Sequence, residues 1–436
     1  MKRVFSIFQL FRGELLFQDR CAASQGAIFK RIIMTKPKII FHIGLERTGT
    51  TSFQRYCTNN KNVLLKYSLL YPTKNAAFSV DCHGPLVSSY LQNDSSRDFS
   101  LRSVSLKRSK ILRSLLDEIN KSQANTVLLS SEHFSSRFGE EQIQQLAADF
   151  AGCECRIFVT VRDHLARLCS SYSTSVMSGS ELNIEGYAAN VTAAGNKYIR
   201  VKDTVTPWAA IFGKKNISVF CYRPGENVVS TLCESLVAGG QSLPAPSSYA
   251  DNRSLGPSLT EALRLTNIAL SSRAKSGASQ TYMKWLLQRY FQVCLKRWLA
   301  RASGDQLLDS WRLPEDTLRR LNEIAEIDCR WLEDEYGVRL SDQQAEDVRC
   351  LSGRSSNPEA AGEILAKALV EQAMGRRWDV IDAAVPILLP LIRVYDRWRI
   401  LVAAISRPTP ELGQETPAPS ASSGLGGVQE ADHNPQ

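Results

Sequence analysis

One stretch of sequence, IIFHIGLERTGTTSFQ at residues 39–54, limits the possible folds of this chain more than any other. An apolar run ends in a short loop bounded by Gly44 and Gly49, and the residues that follow favour a helix. A buried strand, a glycine-containing turn and a helix in this order are typical of parallel-sheet proteins that bind phosphate at the helix N-terminus. The glycine spacing fits G-x-x-x-x-G-K-[ST], but Thr50 occupies the lysine position.

The missing lysine narrows the type of phosphate ligand that the loop is expected to bind. P-loop NTPases use this lysine against the β and γ phosphates and the next hydroxyl to hold Mg²⁺, so ATP hydrolysis is not expected. Backbone N–H groups and the positive end of the helix dipole still favour an anion. The predicted anion-binding residues of the loop are Arg47, Thr48, Gly49, Thr50, Thr51 and Ser52.

Further strands and helices alternate along the chain. Buried strands are predicted at 126–134, 155–162 and 216–224, and helices at 109–121, 140–150, 164–179 and 205–213. This alternation predicts an α/β fold with a P-loop-type central parallel sheet flanked by helices, and with ligands at the strand ends. Helical periodicity over 258–272, 280–300 and 314–336 predicts additional C-terminal helices.

The composition divides the chain into four regions. We predict an N-terminal extension at 1–36, whose place in the fold stays open, and an α/β domain at 37–345. A C-terminal helical segment is predicted at 346–405, followed by a disordered tail at 406–436 that is rich in Pro, Gly and Ser. The apolar runs at both ends are too short or too interrupted to predict a membrane span.

Charge and cysteine content limit the class of ligand and the compartment. The 436 residues carry a formal charge of +9, which favours anionic ligands, although no basic cluster interleaved with aromatics predicts nucleic-acid binding. Eleven cysteines without C-x-x-C spacing predict free thiols and no metal site. The odd count and the lack of a recognisable secretion signal predict a cytoplasmic protein. The sequence does not indicate an oligomeric state.

The segment from His42 to Ser52 resembles the 5′-phosphosulfate loop of the sulfotransferases that use 3′-phosphoadenosine 5′-phosphosulfate (PAPS). That loop has a form close to H-I-G-x-x-K-T-G-T-T-S, and here Arg47 replaces its lysine. The segment DNRSLGPSLTEALRLTN at 251–267 is similar to one in bacterial sulfotransferase-like proteins, and the likeness spans roughly 37–270. It implies a P-loop fold, PAPS as the sulfate donor, and no metal.

The resemblance also implies a second anion site for the 3′-phosphate of the nucleotide. In the family, a strand ends in an arginine, and a serine about eight residues later lies on the following helix. Here the strand CRIFVTVR ends at Arg162, and Ser170 follows eight positions later. Guanidinium groups bind phosphate bidentately, and a hydroxyl two helical turns along is able to reach the same group.

Transfer of a sulfuryl group requires a cation where charge develops and a base for the proton of the acceptor. Arg47 is predicted to supply the charge, although an arginine cannot donate a proton as a lysine can. Three residues are candidates for the base: Glu132, which we favour, His83 and His133. Alternatively, Glu132 and His133 only cap the next helix or order the loop.

The expected function is therefore transfer of a sulfuryl group to a hydroxyl or amine of a small-molecule, lipid or carbohydrate acceptor. Two alternatives stay open. One is a P-loop kinase-like phosphotransferase, and the other is a non-catalytic nucleotide-binding member of the sulfotransferase family.

Overall fold

The fold is taken from a computed structural model. It describes residues 37–79, 81–91, 107–122, 124–223, 226–236, 243–244, 256–273, 311 and 313–340. The regions predicted at 1–36, 346–405 and 406–436, and the helix predicted at 280–300, lie outside the described residues.

Five parallel strands form the central sheet, in the order β2-β3-β1-β4-β5. Their bounds are β1 Lys38–His42, β2 Leu69–Leu70, β3 Thr126–Ser130, β4 Cys155–Arg162 and β5 Ile217–Tyr222. The central strand β1 pairs with β3 on one side and β4 on the other, so the carboxyl ends of β3, β1 and β4 lie side by side. The predicted α/β fold with a parallel sheet is confirmed.

Helices cover both faces of the sheet. Their bounds are α1 Thr50–Asn59, α2 Lys61–Lys66, α3 Gly84–Tyr90, α4 Arg108–Ser122, α5 His133–Arg137, α6 Glu140–Asp149, α7 His164–Met177, α8 Ile184–Thr192, α9 Val201–Phe212, α10 Val228–Leu236, α11 Pro257–Arg273 and α12 Glu315–Tyr336. Apolar side chains of α3 to α6 and of α9 pack on one face. Those of α1, α2 and α10 pack on the other.

The two-residue period of the strands assigns each side chain to one of these faces. In β1, Ile39 and Phe41 contact the first group of helices, whereas Ile40 contacts the second. In β4, Val159 and Val161 belong to the first face and Phe158 to the second. His42 and Arg162 therefore lie on the face covered by α1, at the carboxyl ends of their strands.

Several local predictions need correction. The strand predicted at 126–134 ends at Ser130, because Glu132 adopts helical φ and ψ angles and is the N-cap of α5. The strand β2 and the helices α2, α3, α5, α8 and α10 were not predicted, because each is too short to show a clear hydrophobic period.

The C-terminal helix α12 is joined to the domain by a buried carboxylate. Asp328 accepts hydrogen bonds from the backbone N–H groups of Val201, at 2.7 Å, and Lys202, at 2.9 Å, at the start of α9. Its Oδ2 also lies 2.7 Å from Nε2 of His164, the first residue of α7. Asp328 thereby satisfies donors that a helix N-terminus leaves without intrahelical partners.

Candidate functional site

The loop between β1 and α1 continues the sheet for three residues and then turns sharply. Ile43 donates its backbone N–H to the carbonyl of Phe158 at 2.9 Å, and Leu45 donates to that of Thr160 at 3.1 Å. Arg47 and Gly49 then adopt left-handed backbone angles, with φ of 70° and 85°. Gly49 is the N-cap of α1 and has no capping side chain, so the first N–H groups of the helix face the loop.

Polar contacts beneath the loop fix its shape. The Thr48 hydroxyl is fully buried, donates to the carbonyl of Leu45 at 2.5 Å and lies 2.6 Å from Oγ1 of Thr160. A Cβ on Gly44 would lie 2.3 Å from that Thr160 oxygen, so only glycine fits there. Thr48 was predicted to bind the anion with its side chain. Its hydroxyl instead forms hydrogen bonds within the protein. Thr51 and Ser52 are half-buried on the first turn of α1, and Thr50 is buried there.

The two predicted anion sites meet at Arg47. Its Nε donates to Oγ of Ser170 on α7 at 2.8 Å, although the two residues lie 123 positions apart. The Nη1 of Arg162 donates to the backbone carbonyl of Arg47 at 3.3 Å. The structure therefore brings together the loop residue and the Arg–Ser pair that the sequence predicted as separate parts.

Arg47 and Arg162 interact electrostatically, and neither forms a salt bridge within the described residues. Within the described residues, no Asp or Glu oxygen lies within 4 Å of a side-chain nitrogen of Arg47 or Arg162. Burial lowers the pKa of Arg47, and the neighbouring Arg162 acts in the same direction. The Nε of Arg162 is buried and has no hydrogen-bond partner among the residues that the structure describes. Two arginines without a salt bridge, one of which has a buried donor to spare, are the chemistry of a site for an anion.

Tyr222 lies beside Arg162 at the end of the neighbouring strand. The guanidinium carbon of Arg162 is 4.8 Å from the centre of the Tyr222 ring, within the range of a cation–π contact. A Cβ on Gly49 would lie 3.4 Å from the same ring and 2.6 Å from Cγ1 of Val228. The ring therefore packs between the loop and the arginine.

A third arginine, Arg167, joins the loop to the segment before α9. Arg167 is almost fully buried, and its guanidinium donates to the carbonyls of Glu46, at 3.3 Å, and Tyr198, at 2.5 Å. The Tyr198 hydroxyl in turn donates to Oε2 of Glu46 at 2.9 Å. Arg167 thus uses its hydrogen bonds to hold the backbone next to Arg47.

Glu132 lies at the carboxyl end of β3, next to the loop. The backbone N–H of Ser131 donates to the carbonyl of His42 at 3.1 Å, and Oγ of Ser135 lies 3.4 Å from the carbonyl of Gly44. The half-buried carboxylate of Glu132 accepts a hydrogen bond at Oε2 from Nε2 of Gln54 on α1, at 2.9 Å. This places a carboxylate beside the loop.

The two other candidate bases have different surroundings. His83 is fully buried, its Nε2 lies 3.0 Å from the carbonyl of Pro72, and its Nδ1 accepts from the backbone N–H of Ser130 at 3.1 Å. Burial lowers its pKa to about 4. Because the backbone occupies both ring nitrogens, His83 has no free lone pair for a proton. His133 is half-buried, and its Nδ1 has no hydrogen-bond partner in the described part of the chain.

Sequence reasoning missed several residues that complete this site. They are Gln54, Thr160, Arg167, Tyr198 and Tyr222. The alternation along β4 was a usable signal for one of them, because Thr160 precedes Arg162 by two residues and must share its face. The others lie on different elements, and their contacts depend on how those elements pack.

The described residues carry no sign of a metal centre, a disulfide or a membrane span. They contain no group of three or more His, Cys, Asp or Glu side chains placed to bind a metal. Their eight cysteines are free thiols. No helix among them combines the length and the apolar character that crossing a bilayer requires.

Comparison with known proteins gives a limited result. No protein-family model and no curated protein matches the chain. Among solved structures, the chain is similar to a sulfotransferase from Alicyclobacillus acidocaldarius, with 15% sequence identity and a TM-score of 0.36. The match covers 57% of this chain and 100% of the other. A likeness of this extent does not decide the family of the chain.

Proposed function

We propose that this chain is a sulfotransferase that moves a sulfuryl group from PAPS to a hydroxyl or amine of a small-molecule, lipid or carbohydrate acceptor. The observation that carries the proposal is the meeting of Arg47, Arg162 and Ser170. The Nε of Arg47 lies 2.8 Å from the Ser170 hydroxyl, and Arg162 donates to the Arg47 carbonyl. Two cations and a hydroxyl in one place suit a nucleotide with phosphates on both the 3′ and 5′ positions.

The residues at the site fit such a nucleotide by their chemistry. The N–H groups at the start of α1 and the side chains of Thr51 and Ser52 would hold the 5′-phosphosulfate. Arg162, whose buried Nε has no partner, and Ser170 would hold the 3′-phosphate. ATP has no 3′-phosphate, so a bound ATP would leave Arg162 without an anionic partner.

The acceptor must lose a proton as it attacks, and Glu132 is the group that we assign to that proton. PAPS, when bound, supplies an activated sulfuryl group whose bond to the phosphate breaks as its bond to the acceptor forms. Glu132 would take the proton from the acceptor oxygen or nitrogen. Arg47, always protonated, would balance charge near the 5′-phosphate without donating a proton.

Two alternative functions have specific support in the site. A non-catalytic nucleotide-binding protein would use the same arginines without turnover, and the replacement of the family's lysine by Arg47 favours it. A phosphotransferase would need a carboxylate near the end of β3 to hold Mg²⁺, and Glu132 lies close to that place.

Calorimetry separates nucleotide binding from ATP chemistry. We expect 3′-phosphoadenosine 5′-phosphate (PAP) to bind without added metal, and at least about tenfold more tightly than 5′-AMP, since a charged hydrogen bond contributes about 1.5–3 kcal/mol. Tight binding of ATP that requires Mg²⁺, with no response to PAP, would contradict the proposal.

Transfer of ³⁵S from labelled PAPS to a panel of phenols, alcohols, amines and sugars then separates enzyme from binder. We expect at least one labelled product. A chain that binds PAP tightly but labels no acceptor, while a known sulfotransferase labels the same panel, supports the non-catalytic alternative.

A further inference from the structure

Gln54 connects the loop helix to the proposed base. It is almost fully buried on α1, and its amide nitrogen Nε2 lies 2.9 Å from Oε2 of Glu132 and 3.2 Å from Oγ of Ser130. The Oγ of Ser130 lies 2.8 Å from Nδ1 of His42. These four side chains form one hydrogen-bonded group across β3, β1 and α1, which we call the Gln54 network.

The chemistry of the groups sets the direction of these hydrogen bonds. An ionised carboxylate only accepts, so the amide of Gln54 must present its NH₂ group to Glu132. The second hydrogen of that group is donated to Ser130, whose own hydrogen is then available for Nδ1 of His42. Burial lowers the pKa of His42 to about 3, so its ring is neutral near pH 7 and can accept this hydrogen.

The contact leaves one oxygen of Glu132 available. Gln54 occupies Oε2, and within the described residues Oε1 has no hydrogen-bond partner. A carboxylate held at one oxygen and open at the other has a fixed orientation and a free lone pair for a proton. The N-terminal turn of α1 carries Thr51 and Ser52 of the loop site, so Gln54 fixes Glu132 relative to the same helix.

We propose that Gln54 is a positioning residue that orients the carboxylate of Glu132 toward the acceptor, with Ser130 and His42 fixing the amide of Gln54. This role rests on the proposed function. It does not require Gln54 to touch either substrate. Loss of the amide would let the carboxylate rotate, and misplacement of a reacting group by about 1 Å costs up to about 100-fold in rate.

The test compares Gln54→Met, which keeps the length of the side chain and removes the amide, with Thr58→Val. Thr58 lies one turn further along α1, and its buried hydroxyl has no partner within the described ranges, so its removal controls for a change in the helix. PAP affinity is measured by calorimetry. The kcat and KM of ³⁵S transfer are measured with the panel acceptor that the wild type labels fastest.

We expect Gln54→Met to lower kcat about 10- to 100-fold, with the Kd of PAP and the KM of PAPS within about twofold of the wild type. Thr58→Val should match the wild type in all three. Gln54→Glu, which places a second carboxylate against Glu132, should lower kcat at least as much. In a Glu132→Gln background, Gln54→Met should cause little further loss, because two residues that act together are not additive.

Each contrary result leads to a different conclusion. A Gln54→Met protein that transfers sulfate at the wild-type rate overturns the positioning role and leaves the proposed function intact. Weakened PAP binding in Gln54→Met, with kcat unchanged at saturating PAPS, shows a role in loop structure and also overturns it. A wild-type protein that binds no PAP, or transfers no sulfate, overturns the proposed function and this role together.

Discussion

At the carboxyl ends of the strands, the two faces of the sheet carry different kinds of side chain. On the face covered by α3 to α6 and by α9, the last side chains are apolar, and they are Leu129, Ile43 and Val161. On the face covered by α1, the corresponding positions are polar, and they are Ser130, His42, Thr160 and Arg162. Each residue of the first set is adjacent in sequence to a residue of the second.

This contrast shows how one sheet carries both a core and a site. Adjacent residues of a strand point to opposite faces. A strand that is apolar on both faces can therefore become polar on one face alone over its last two or so residues. The apolar face keeps its packing to the end of each strand. The polar face supplies the partners of Thr48, Gln54 and Arg47. We therefore expect changes on the two faces to affect different measurements.

The largest expected effect is on stability and comes from the apolar face. Leu129→Ala should lower the free energy of unfolding by about 2–5 kcal/mol, because it opens a cavity in the core. Ser130→Ala, one residue away, should cost about 1 kcal/mol, since it removes hydrogen bonds. Chemical denaturation measures both. Equal losses of unfolding free energy in the two variants would contradict the expected difference between the faces.

The next effect is on ligand binding and comes from the polar face. Arg162→Ala should weaken PAP about 100-fold, which corresponds to about 2.7 kcal/mol, because the 3′-phosphate loses its guanidinium. Arg156→Ala, at the other end of β4, is the matched control and should bind as the wild type does. Calorimetry gives both constants. Tight PAP binding by Arg162→Ala would show that the 3′-phosphate binds elsewhere.

A smaller effect concerns Gly49, in the loop between β1 and α1. Gly49→Ala should lower the free energy of unfolding by about 2 kcal/mol, since φ is 85° and the new Cβ would lie 2.6 Å from Cγ1 of Val228. Gly152→Ala, which has φ of 102° and nothing within 4 Å of the new Cβ, should cost less. If the two variants unfold alike, the contact with Val228 contributes nothing.

A final effect, spread over several pH units, is a dependence of stability on pH. Burial holds the pKa of His83 at about 4, below its ordinary value of 6.5, so the unfolded chain binds a proton that the folded chain does not. Stability from this residue is complete above pH 6.5 and falls by about 1.4 kcal/mol per pH unit between pH 6.5 and 4. Denaturation over this range should show a shallower slope for His83→Asn. A slope equal to that of the wild type would contradict the assignment.

The sequence predicted much of the frame of this site. The strands β1, β4 and β5 and the helices α4, α6 and α7 were found within a few residues, because an apolar run or a period of 3.6 is read within a short window. The loop with Arg47 came from its glycines. Arg162 and Ser170 came from the resemblance, which also gave their spacing.

Other parts could not be read from the sequence. The order of the strands places β3 beside β1, and only that neighbourhood brings Gln54 to Ser130 and Glu132. Among the candidate bases, sequence analysis favoured Glu132 but kept His83 and His133 as alternatives. The packing then placed the imidazole of His83 between two backbone groups and left the carboxylate of Glu132 beside the loop.

The sequence by itself determined the α/β class, the glycine-bounded loop between β1 and α1 and the arginine at the end of β4, because these depend on side chains that are neighbours along the chain. Tertiary structure decided that Arg47 meets Ser170 across 123 positions, that Thr48 turns inward, and that Gln54 faces Glu132. The physical reason is that such contacts depend on strand order and on the packing of α1 and α7 against the sheet. No local preference of the chain encodes that packing.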